Sequence, residues 1–90
     1  MLLYEPGSLA ISKAGHDKGE VFVILKSESE YVYLMDGKNR TFETPKKKNI
    51  KHIQLVNDRD KNLAEKQLKQ ERIINEDVKR AIKLYRNSKM

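Results

Sequence analysis

The chain has 90 residues, with 19 Lys and Arg against 13 Asp and Glu, a formal net charge of +6 and no cysteine. Such a length makes one small domain with room for an appendage. The missing thiols exclude a disulfide framework and a thiolate metal site, and the cationic surplus favours a polyanionic partner.

Pro6-Gly7 reads as a turn, and residues 9–13 begin a strand. A charged turn follows, Gly15-His16-Asp17-Lys18-Gly19, whose bracketing glycines allow positive φ and close backbone approach. Val21-Phe22-Val23-Ile24-Leu25 is a continuous apolar run, β-branched and aromatic, too short for a helix and read as a buried central strand. Residues 27–30 make a polar turn. Tyr31-Val32-Tyr33-Leu34-Met35 is a third strand, closed by Asp36-Gly37, a hairpin signal leading into a short strand at residues 40–43. Pro45 stops that strand because it has no N–H to give to a ladder. A basic loop, Lys46-Lys47-Lys48, leads to a final short strand or 3₁₀ turn within residues 50–56. Short strands joined by tight turns predict a mainly β chain, a small antiparallel barrel.

Beyond Val56 the composition changes, and residues 57–90 are expected to form a helical extension of the barrel domain at residues 1–56. Asn57 or Asp58 is placed to cap a helix running to about Gln70. Asn75-Glu76-Asp77 is a second helix start, with acids where the helix dipole favours them. Val78, Ala81, Ile82 and Tyr85 then recur at helical spacing, a stripe expected to pack on the barrel.

The charge is uneven. Residues 1–35 hold three lysines against five acids, a net of −2, whereas residues 36–57 hold six cations against two acids, a net of +4. Residues 58–90 add ten cations against six acids, again +4. The surplus therefore lies in the middle and the tail.

Ile11-Ser12-Lys13-Ala14-Gly15-His16-Asp17-Lys18-Gly19 followed by the apolar run resembles the KOW motif, a strand–turn–strand unit with glycine at the turn. Asp36-Gly37 and the tract Lys46-Lys47-Lys48-Asn49-Ile50-Lys51-His52-Ile53 resemble one KOW branch. That branch is the large-subunit ribosomal protein family numbered fourteen in archaea and eukaryotes, with its stand-alone bacterial relatives. The resemblance covers roughly residues 7–56 and implies an SH3-like barrel that binds RNA, ribosomal RNA being the expected target and translation the expected context. It carries the candidate RNA-binding residues: Lys13, Gly15, His16, Lys18, Gly19, Lys38, Arg40, Lys46, Lys47, Lys48, Lys51 and His52. A basic Arg or Lys is common at position 16, and His16 would make that contact weaker or pH-sensitive.

Each candidate also has a plainer role. Asp17 faces phosphate unfavourably and is read as a loop cap. Lys46, Lys47 and Lys48 are read as too many cations for local neutralisation, so replacing them should weaken RNA binding with little change in melting temperature. Phe22, Phe42, Tyr31 and Tyr33 are read mainly as packing residues, with Tyr33 or Phe42 the best placed for exposure.

His16 and His52 lack ligand spacing, so no metal or cofactor is expected. No nucleophile, Walker-type loop or carboxylate pair stands out, and no catalytic activity is expected. The alternatives to RNA binding are an SH3-like protein-interaction module or a transcription-associated KOW factor, with the C-terminal helix available to a protein partner. No membrane partner is expected, because no run approaches the roughly 20 apolar residues that span a bilayer. Cytoplasm is the expected location, as the first residues lack the basic and long apolar segments of a secretory leader.

Overall fold

The computed structural model describes residues 4–56 and 60–88. Five strands form one antiparallel sheet: β1 (Leu9–Ser12), β2 (Val21–Glu28), β3 (Tyr31–Met35), β4 (Lys46–Asn49) and β5 (Ile53–Leu55), in the order β4-β3-β2-β1-β5. Two helices follow, α1 (Lys61–Leu68) and α2 (Asn75–Ser88).

The two edge strands are consecutive in the chain, separated only by a 3₁₀ turn at Ile50–His52. Opposite edges of a flat five-stranded sheet lie about 19 Å apart at the usual strand spacing, while three residues of 3₁₀ rise only about 6 Å. The sheet must therefore curl until β4 and β5 approach at that corner. Two backbone bonds fix the turn there: Ile50 N–H donates to Glu30 O at 3.0 Å, and Lys13 N–H to His52 O at 2.8 Å.

The apolar run on β2 is continuous because both faces of the sheet are buried. Val21 and Val23 point to one core with Leu9 and Met35, while Phe22 and Ile24 point to a second with Ala10, Val32, Leu34 and Ile53. The helices cover the first face: Leu63 of α1 and Val78, Ala81 and Ile82 of α2 complete that core, as the helical stripe in the sequence predicts.

Three expectations are corrected. Residues 40–43 form no strand. Asp36 Oδ1 instead accepts the N–H groups of Lys38, Asn39 and Arg40 at 2.8–2.9 Å. Asp36 N–H and Gly37 N–H both donate to Arg40 O, so the carboxylate closes a loop where the dipeptide pattern reads as a hairpin. Lys46–Asn49, expected as a loop, is an edge strand paired with β3 from Tyr31↔Asn49 to Leu34↔Lys46. Pro45 precedes this strand, a position where its missing N–H costs nothing. Finally, α1 takes its cap from Asp60, whose side chain accepts Leu63 N–H at 3.0 Å; Asn57 and Asp58 lie outside the described residues.

Gly37 shows why that loop needs glycine. Its φ is +78°, and a Cβ there would sit 2.5 Å from the Asn75 carbonyl oxygen and 2.9 Å from Lys79 Cγ. The loop at residues 36–40 thus docks directly on the first turn of α2.

Candidate nucleic-acid interface

The turn after β1 and the strand β4 are separated by about thirty residues in sequence yet form one surface. Asp17 joins them. Its Oδ1 accepts Ser12 Oγ–H at 2.7 Å and Lys48 Nζ at 2.7 Å, and its Oδ2 lies 2.6 Å from Lys46 Nζ. Lys48 Nζ also donates to Ala14 O at 2.8 Å, stitching β4 to the turn backbone. Burial alone would raise the Asp17 pKa, but the hydrogen bonds from Lys46, Lys48 and Ser12, with the charge of Lys48, outweigh it. They hold the carboxyl well below the usual carboxylate range. Asp17 is thus a structural anion, the role its sequence position suggests, but its partners include cations from a distant strand.

This changes the reading of the lysine tract. Alternation along β4 sends Lys46 and Lys48 to Asp17, while Lys47 lies on the other side with Nζ 4.4 Å from the centroid of the Tyr31 ring. Two of the three cations are half-buried and share one carboxylate; Lys47 is exposed. The expectation that replacing all three would leave the melting temperature nearly unchanged is therefore corrected: Lys46 and Lys48 hold the turn to the sheet.

Around this cluster, Lys13, Gly15, His16, Lys18 and Gly19 are exposed on the turn, and Lys51 and His52 are exposed on the 3₁₀ turn. The Lys13–His52 backbone bond places these two groups side by side. Gly15 and Gly19 have φ of +85° and +89°, so the turn backbone requires them as well as any ligand would. Lys38 and Arg40 stand apart on the loop over α2, where they share a groove with Lys46 and Asp17.

The aromatic residues are mostly committed. Phe22 is buried and Phe42 packs against the helix-side core. Tyr31 and Tyr33 are half-exposed, but Lys47 covers the first ring and Lys26 the second, at 4.8 Å from its centroid. A cation over each ring offers a weaker stacking platform than an open face.

Lys79, Lys83 and Arg86 on α2 border the same groove as Lys38 and Arg40. Their i, i+4, i+7 spacing is visible in the sequence; the loop they face is not. Arg86 Nη2 donates to Glu20 Oε2 at 2.7 Å, tying the helix end to the strand that leaves the turn. Among the described residues, no group of three His, Asp or Glu is gathered to hold a metal, and no helix is long and apolar enough to cross a membrane. Compared with known proteins, the chain matches no family model and no curated protein.

Proposed function

We propose that the chain is an RNA-binding module that grips the phosphate backbone of structured RNA, ribosomal RNA being the expected target, through the face built by the turn between Gly15 and Gly19 and the segment from Lys46 to His52. One observation carries this reading: the Asp17 cluster and the Lys13–His52 bond bring two basic segments, far apart in sequence, onto one surface. Lys13, Lys18, Lys47 and Lys51 stand exposed around it. Because these bonds fix the backbone beneath the cations, only the lysine side chains remain to be ordered on meeting a phosphate, and their arrangement favours a shaped backbone over a flexible chain. The meeting of the two sheet edges at a 3₁₀ turn supports the SH3-like barrel that the KOW resemblance implies. The protein-interaction alternative ranks second, because lysines cover the rings that a peptide groove would need open.

Ribosome co-sedimentation and RNA titration test the reading. Wild type should travel with ribosomal particles at low salt, and the combined Lys13→Ala, Lys47→Ala and Lys51→Ala variant should not. Against a duplex RNA hairpin, that variant should flatten the slope of log K on log salt by about 2.7, three phosphate contacts at about 0.9 each. Unchanged binding by the variant refutes the assigned face; loss of co-sedimentation in wild type refutes the ribosomal target.

A further inference from the structure

A groove of about 650 Å³ runs between the loop at residues 36–40 and helix α2. One wall carries Lys38 and Arg40, the other Lys79, Lys83 and Arg86, and Lys46 stands at the end nearest the turn. The lining carboxylates are all engaged: Asp17 by two lysines, Glu20 by Arg86, and Asp36 by three backbone N–H groups. Among the described residues, Lys38, Arg40 and Lys83 have no carboxylate within ion-pair distance. Lys79 and Arg86 are paired to Glu76 and Glu20 at sites about half exposed or more, where an ion pair exchanges readily for a better anion. The groove is thus a cationic channel with uncommitted charge on both walls.

Its shape restricts the ligand. The α2 cations are spaced about 6 Å and then about 4.5 Å along the helix axis and form a row along one wall. The volume accepts a short run of nucleotides from one strand. Val21, Phe22 and Ile82 line the floor but are themselves buried, so no open ring is offered for base stacking.

We propose that this groove holds the phosphate backbone of a single RNA strand as it leaves the structured element gripped beside it, an inference that rests on the RNA-binding reading above. Asp17 and Lys46 sit where the two surfaces meet, so one RNA passes from the turn face into the groove without a break. Recognition there is of the backbone, independent of base identity.

The test compares an RNA hairpin with the same hairpin carrying a 3′ oligouridylate tail, by fluorescence anisotropy across a salt series. For wild type the tail should raise affinity and steepen the salt slope. In the combined Lys38→Ala, Arg40→Ala and Lys83→Ala variant that steepening should fall by about 2, three single-strand contacts at about 0.7 each. At 0.1 M salt this corresponds to a loss of about 100-fold in the tail's contribution. The variant should melt within a few degrees of wild type, because among the described residues none of the three cations has an ion pair to lose.

A tail that adds nothing to wild type overturns the groove assignment, as does a tail increment that survives in the variant. In both cases binding of the bare hairpin, abolished by the Lys13, Lys47 and Lys51 substitutions, leaves the turn-face reading standing. Failure of wild type to bind either probe overturns both. Displacement of the tail by polyglutamate at equal charge concentration would identify an acidic protein segment as the better ligand and overturn the assignment to RNA.

Discussion

Asp17→Asn is the sharpest test of the cluster on which the proposed interface depends. The substitution keeps the shape of the side chain and removes its charge, leaving Lys46 and Lys48 without an anion. The side chains concerned are 12% exposed for Asp17, 10% for Lys48 and 29% for Lys46. Removing one partner of a buried ion pair costs about 3–5 kcal/mol. Lys46 reaches water readily and Lys48 does not, which puts the expected loss near the lower end, about 3 kcal/mol. A domain of this size loses about 4–8 °C per kcal/mol, so the melting temperature should fall by about 12–24 °C at pH 7. On a total stability of about 5–13 kcal/mol for 90 residues the variant should still fold in the cold.

The pH dependence gives an independent check with a defined sign. The folded-state pKa of Asp17 is depressed, so its contribution is fully present above the unfolded value of about 3.9 and is lost as pH falls through the folded value. Wild-type stability should accordingly decline below about pH 4, and the Asn variant should decline less steeply there. Thermal unfolding followed by circular dichroism between pH 2.5 and pH 7 measures both effects. A variant that melts within about 3 °C of wild type at pH 7 would refute the reasoning, showing that both lysines swing into solvent at no cost.

Other substitutions probe the remaining joints. Gly37→Ala combines a positive φ with a Cβ at 2.5 Å from a backbone oxygen, and should cost about 2–4 kcal/mol by urea denaturation; a loss below 1 kcal/mol would mean that the loop does not dock on α2 as described. Asp77→Ala removes the acceptor of Ile74 N–H and the bridge to Asn62 and Lys66 on α1, and should cost about 2 kcal/mol and reduce amide protection in both helices. Although burial opposes it, the Ile74 N–H, Lys66 and Asn62 contacts lower the Asp77 pKa, so this loss too should shrink as pH falls below about 4. Leu63→Ala empties a fully buried site between helix and sheet and should cost about 2–5 kcal/mol; a near-neutral result would detach α1 from the core.

The strands that were legible in the sequence are those whose own composition decides them. The run from Val21 to Leu25 has no polar face, so it can only be buried on both sides, and Tyr31 to Met35 alternates around Val32 and Leu34. Helix α2 was legible for the same reason: its apolar positions recur at helical spacing and its first turn is acidic. The missed element, β4, has no such signature. Three identical lysines carry no alternation, and only the open edge of β3 and a carboxylate some thirty residues earlier give them two different faces. The misread hairpin failed through a local competition: the Asp36 side chain captures three N–H groups that a following strand would otherwise have used for pairing.

The same distinction governs the interface. Sequence reveals which cations are present, but charge available to a ligand is what remains after the fold has made its own pairs. In the tract of three lysines, one anion takes two cations and a tyrosine ring underlies the third, so the densest cationic signal in the chain contributes less free charge than it promises. Lys38, Arg40 and Lys83 are scattered in sequence and form no motif, yet among the described residues no carboxylate reaches them and they meet across one groove. A polyanion responds to the net field rather than the count of lysines. Single substitutions of Lys46 or Lys48 should therefore perturb stability more than binding, while those of Lys47, Lys38, Arg40 and Lys83 should do the reverse. Measuring melting temperature and salt slope on the same set of variants separates the two classes of cation.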